Sequence, residues 1–289
     1  MGCDAGNRCP AYGFAEGRLS LIPLLHSPRG EHDDRMTTLF DFYRDGGTGL
    51  IVLVVASFAV AGMVKGVIGL GLPTVSIGLL SVAMAPPQAA ALLIIPSMVT
   101  NLWQLAAGGR FLYLVRRLWS MLVGIAVGTW VAGLWLAGRE TAWAGHALGA
   151  ALLLYAAVGL SAVRLSVPPR AQAWAGPVVG ATTGAITSAT GVFVIPAVPY
   201  LQALGLDRNE LVQAMGLAFT ASTIALAGDL IHGGQLGGRE AWASLLALVP
   251  ALAGMLAGQW LRHRVSATTF RRCFFIGIGA LGLHLLWAG

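Results

Sequence analysis

The sequence predicts an all-helical polytopic membrane protein. It reads as an inverted repeat of two five-segment halves, each with a glycine-interrupted, short or re-entrant helix, giving about 8–10 membrane segments. Three observations predict this. Of the 289 residues, 56% are apolar and 10% charged, with a mean hydropathy of +0.74, whereas soluble domains carry about 25% charge. Apolar runs fill each half, separated by short loops bearing Gly, Pro or Arg. Two runs are also interrupted alike, one by Gly62, Lys65, Gly66, Ile68, Gly69, Gly71 and Pro73, the other by Gly180, Gly184, Ile186, Gly191 and Pro196. Unwound backbone at membrane depth survives only where it is buried in protein or lines a cavity, so paired breaks point to a transported ligand.

The elements follow in order. Residues 1–35 are polar, Gly/Pro-rich and aperiodic, without the basic start and apolar core of a signal peptide. The stretch 1–47 therefore reads as a disordered or over-extended head, with Met36 as the expected start. Thr37–Tyr43 reads as an interfacial half-helix anchored by Phe40, Phe42 and Tyr43. The first repeat, 48–163, contains Thr48–Leu70, Leu72–Ala85, Gln88–Ala107, Leu118–Ala137 and Ala142–Val163. A basic linker over 164–173, with Pro168 and Pro169, leads to the second repeat, 174–289. Its runs are Trp174–Thr190, Val192–Leu204, Asn209–Ile231, Ala241–Leu261 and Ala267–Ala288. Most approach the roughly 20 residues that cross about 30 Å of hydrocarbon. The second run of each half reaches only about 20 Å, so it crosses short or re-enters.

One constant offset superposes Ala91 on Ala214, Arg116 on Arg239 and Trp119 on Trp242. Loop charge then orients the halves. The loop bearing Arg110, Arg116 and Arg117, the 164–173 linker and the loop bearing Arg262, Arg264, Arg271 and Arg272 are basic. Five segments per half put all three on one side, and put Arg116 opposite its counterpart Arg239, so the halves are inverted. Both termini are expected on the non-cytoplasmic side of a cytoplasmic (inner) membrane. The basic balance reads as this orientation signal, and nucleic acid is excluded as a partner.

Lys65 is the only lysine, and the acids beyond Asp45 are Glu140, Asp207, Glu210, Asp229 and Glu240. An ammonium at bilayer depth costs about 2.5–3.5 kcal/mol. Lys65 either snorkels to the surface or lends positive potential to an anion cavity, with amides of Gly66, Gly69 and Gly71 near the ligand. The second break has Thr183 at the matching point, with Thr182, Thr187, Ser188 and Thr190 around it, beside Gly191. These hydroxyls either bond back to carbonyls of their own helix or contact the anion. Starts of the following helices, at Leu72 and Val192, would point positive ends at the same space. Asn101 and Gln104 either line the cavity or clamp helices, and clamping is the expectation. Asp229 and His232 close the third run of the second half, where a capping or interfacial role is expected in preference to proton relay.

Cysteines Cys3, Cys9 and Cys273 have no metal or disulfide spacing. No metal, cofactor or catalytic residue is assigned, and an enzyme is not expected because no nucleophile–base pair or phosphate-cradling motif occurs. Without an ATPase domain, transport would be secondary, with a coupling ion left unnamed. The partners expected are the bilayer and a small anionic substrate. The alternative is a non-transporting membrane scaffold or assembly subunit, in which the small residues serve only close helix packing.

The stretch Gly66-Val67-Ile68-Gly69-Leu70-Gly71-Leu72-Pro73, with Ala89–Ala91, resembles the sulfite exporter TauE/SafE family, also known as the toluene sulfonate uptake permeases. Gly184 through Gly191, Pro196–Tyr200 and Gln213-Ala214-Met215-Gly216 carry the resemblance in the second half, and it covers Thr48 to Ala288. The family carries consecutive glycines in both halves, where this chain has Gly69-Leu70-Gly71 and Ala189-Thr190-Gly191. The resemblance implies an inverted-repeat permease of the cytoplasmic membrane that moves sulfite, sulfonates or related organic or sulfur anions.

Overall fold

Long apolar runs leave the backbone one way to satisfy itself in hydrocarbon, which is to form helices, and helices here continue through Pro96, Pro177 and Pro250. The computed structural model describes residues 47–106, 108–137, 143–161 and 166–288. Met36 and the expected interfacial segment over Thr37–Tyr43 lie outside the described residues. Ten helices make up the described chain: α1 Gly47–Ile68, α2 Leu72–Leu80, α3 Pro86–Ala106, α4 Phe111–Leu136, α5 Ala144–Leu160, α6 Pro169–Thr190, α7 Ala197–Ala203, α8 Arg208–His232, α9 Gly238–Leu261 and α10 Ala267–Ala288. Six of them are long and apolar enough to cross a membrane: α1, α3, α4, α8, α9 and α10. Large side chains such as Leu112, Val249 and Trp287 stand exposed on their outer faces, as lipid-facing residues do.

Some boundaries differ from those expected, each for a local reason. The linker ends early, because Pro169 has a fixed φ suited to the first helical position and so starts α6. Helix α4 starts at Phe111 rather than Leu118, taking Arg116 and Arg117 into its first turns. The short runs are shorter than read. Helix α2 stops at Leu80, and Val192–Pro196 precede α7 as non-helical chain with a cis Ile195–Pro196 bond. Nearly all of α2 and most of α7 are buried, so this irregular backbone lies inside protein, where it is tolerated.

Helix pairing establishes the repeat. Helix α1 packs on α9 and α6 on α4, while α3 packs on α8 and α5 on α10. This pattern is unchanged when α1–α5 are exchanged for α6–α10. Counterparts that touch run antiparallel. Asn101 meets Thr223 while Leu105 meets Gln213, and Gly149 meets Leu286 while Gly159 meets Phe275. Two halves whose equivalent helices oppose one another are inverted.

Four of the glycines read as interruptions lie inside unbroken helices. A Cβ on Gly62 or Gly66 would stand 2.1 or 2.3 Å from the carbonyl oxygen of Ala251 or Met255, and one on Gly254 or Gly258 would strike Ala59 or Met63 as closely. The counterpart seam joins Gly124 and Gly128 to Gly180 and Gly184. Both are small-xxx-small contacts, which hold membrane helices at backbone distance. The true breaks come later, at Gly69-Leu70-Gly71 and after Gly191. Gly69 (φ 88°) and Gly191 (φ 70°) adopt the left-handed conformation that ends a helix, and Gly71 (φ 105°) adopts it at the start of α2.

Candidate functional site

Where α1 ends, its last turn faces a cavity of about 1110 Å³. Lys65 lies at its buried base, where Nζ donates to Thr100 Oγ1 at 3.0 Å and to Asn101 Oδ1. Asn101 Nδ2 in turn donates to Thr223 Oγ1 at 3.3 Å, so one chain of hydrogen bonds links α1, α3 and α8. These partners are neutral. An ammonium has three donors, and two are engaged here, which leaves one for a ligand. Gln104 Nε2 donates to the Gly69 carbonyl, while its Oε1 is buried without a partner. The hydroxyl of Tyr155, also lining the cavity, is buried without a partner as well. Exposed Arg208, Arg262 and Arg271 line the cavity from α8, the end of α9 and α10, and no carboxylate among the described residues lines it.

Not every residue expected at the first break meets that expectation. The Gly69 amide is spent on the Lys65 carbonyl at 2.7 Å, and Gly66 presses against α9, so neither offers a free oxyanion donor. Gly71 starts α2 against Val64 and Phe274 and does not line the cavity. Asn101 was expected to clamp helices, and it does so while holding Lys65.

The second break does not share this cavity. It borders a separate one of about 190 Å³, lined by Ser188, Thr190, Gly191, Gly133, Asp229 and His232 among others. Exchange of the halves maps one cavity onto the other, since each collects the C-terminal ends of equivalent helices. The expected hydroxyl cluster is largely spent on its own helix. Thr183, Thr187 and Thr190 donate to Val179, Thr183 and Ile186 carbonyls at 2.7 Å, the ordinary back-bond of a membrane helix. Ser188 alone reaches another element, donating to Asp229 Oδ2 at 2.6 Å.

Tyr155, Arg208, Arg262 and Arg271 were missed as site residues. Arg262 and Arg271 were counted only as loop charge, Arg208 was not singled out, and Tyr155 looked like one aromatic among many in an apolar run. No local signal brings α5, α8, α9 and α10 to the end of α1.

The family model for the sulfite exporter TauE/SafE matches residues 54–285. The chain belongs to the TauE/SafE family. TauE/SafE proteins are membrane permeases rather than enzymes, and they move small anions such as sulfite. With six helices able to cross a membrane, this member is a multi-pass membrane transporter. The TauE/SafE match begins within α1 and ends within α10, so it takes in both cavities. No curated protein and no solved structure matches the chain.

Proposed function

We propose that this protein is a secondary carrier for small anions, sulfite or organic sulfonates, in the cytoplasmic membrane, and that Lys65 is the cation that receives them. One observation carries the reading: a cavity of about 1110 Å³ lined, among the described residues, by one buried lysine and three arginines and by no carboxylate. The rim arginines raise the local concentration of anions. Lys65 has no counter-ion among the described residues, and the anion supplies one in a setting where charge attraction is weakly screened. Tyr155 Oη is the neutral donor closest in kind to what an oxyanion needs. Trp103, Met215, Met255 and Phe275 also line the cavity, which suits an anion with a carbon body, so sulfonates are favoured beside sulfite.

The end of the bundle that opens to this cavity also carries the basic loops. Arg110 pairs there with Glu210 at 2.8 Å, and Arg117 donates to the Leu204 carbonyl at 3.0 Å. That end faces the cytoplasm by the positive-inside rule. The unequal cavities are those of a carrier open to the cytoplasm and narrowed on the far side, with inversion of the halves supplying the opposite state. The glycine seams that would favour a scaffold join helices within this chain, and they leave the cavity open beside them.

Uptake of labelled sulfite, methanesulfonate and toluenesulfonate into proteoliposomes tests the reading. Wild type should take up at least one of the three, and Lys65→Ala should lower that uptake by roughly tenfold or more, the cost of one charge-assisted hydrogen bond. Uptake that is unchanged in Lys65→Ala would remove Lys65 from the site.

A further inference from the structure

We propose that the small cavity is a proton site, in which the Asp229 carboxylate takes up a proton from the non-cytoplasmic side and so links anion passage to protonation there. The inference rests on the carrier reading above. Exchange of the halves carries the ends of α1 and α3 onto the ends of α6 and α8. Lys65 and Asn101 occupy the first pair, Ser188 and Asp229 the second. One cavity therefore holds a cation among neutral partners, and its counterpart holds an acid.

Asp229 is built into this place rather than left at a helix end. It is half-buried and accepts the Ser188 hydroxyl at 2.6 Å. The carboxylate lies against Gly133 of the facing helix α4, where a Cβ would stand 1.8 Å from Oδ1 and push the side chain aside. His232, one turn on, rests against Trp130 with ring centroids 5.6 Å apart. Asp229 and His232 are the titratable groups lining this cavity among the described residues; α3, α4, α5 and α6 contribute only uncharged ones.

The chemistry favours a proton over a metal cation. A hard cation seeks about six oxygen ligands, several of them carboxylates or carbonyls. Here a single carboxylate faces a hydroxyl, and the described residues hold no group of three His, Cys, Asp or Glu able to bind a metal. When the far side opens, an anion entering this cavity meets Asp229. An ionised carboxylate repels it, whereas a protonated one is neutral and no longer opposes its entry. Binding of H⁺ from the non-cytoplasmic side converts COO⁻ to COOH; the carboxyl then ionises and releases the same proton to the cytoplasm before the carrier returns, so the residue is unchanged after each cycle and one proton crosses with the anion.

The test uses methanesulfonate, whose charge does not vary with pH, in proteoliposomes. Two assays are run, exchange at equal pH and accumulation driven by a pH gradient. In wild type a gradient of one unit, acid on the small-cavity side, should drive up to about tenfold accumulation per proton carried. Asp229→Asn should keep exchange and lose the pH-driven accumulation. Ser188→Ala, which leaves the acid in place, should retain coupling with a displaced pH profile. Accumulation that persists in Asp229→Asn, a sodium rather than a pH gradient as the driving force, or an unmoved profile in Ser188→Ala would each overturn the proton site. Absence of exchange in wild type would instead overturn the carrier reading.

Discussion

Lys65 is held by a hydroxyl and an amide rather than by a carboxylate, which leaves one of its donors for a ligand. Asn101 sits between Lys65 and Thr223, so Asn101→Leu should leave the amine short of an acceptor at a cost of about 1–3 kcal/mol. Anion uptake should fall by roughly an order of magnitude, read as an initial rate in proteoliposomes. Thr187 had seemed an equal candidate from its sequence. Its hydroxyl bonds only to the Thr183 carbonyl, so Thr187→Val should leave uptake within about twofold of wild type, because that back-bond adds little to helix stability. A large loss in Thr187→Val would show that the hydroxyl serves another state of the transport cycle.

At the scale of elements, the glycines divide by what they touch. Gly62, Gly66, Gly180 and Gly184 bring helices to backbone contact, while Gly71 and Gly191 turn the chain. Sequence spacing exposed both groups without separating them, since a glycine that packs and a glycine that breaks look alike in an apolar run. Gly66→Leu should overpack the α1–α9 seam by about 1–3 kcal/mol, lowering Tm by several degrees in a detergent thermal-shift assay. Gly228, also helical, has open space where a Cβ would go. Gly228→Ala should therefore be neutral or stabilising by up to ~1 kcal/mol. Equal effects of the two substitutions would undo the distinction.

Across the whole molecule, inversion makes the two cavities face opposite sides. Gln202 and Gln259 are exposed and line the large cavity, whereas Gln235 is exposed at the small one. Single cysteines at these positions, in a chain with Cys3, Cys9 and Cys273 replaced, should react with a membrane-impermeant maleimide from opposite sides. Gln202→Cys and Gln259→Cys should label from the cytoplasm and Gln235→Cys from outside. Labelling of all three from one side would contradict the assigned topology.

Composition, run length and loop charge by themselves determined a multi-pass helical protein with inverted halves, because hydrocarbon admits few alternatives and those constraints act on local sequence. The isolation of Lys65 as the only lysine also marked it for attention, although a lone charge near the end of an apolar run could equally have snorkelled to the surface. Only the tertiary structure decided that the two breaks line separate cavities, that arginines from α8, α9 and α10 surround the end of α1, and that Asp229 meets Ser188. Those relations join residues far apart in the chain, and packing between helices, which no local pattern encodes, sets them.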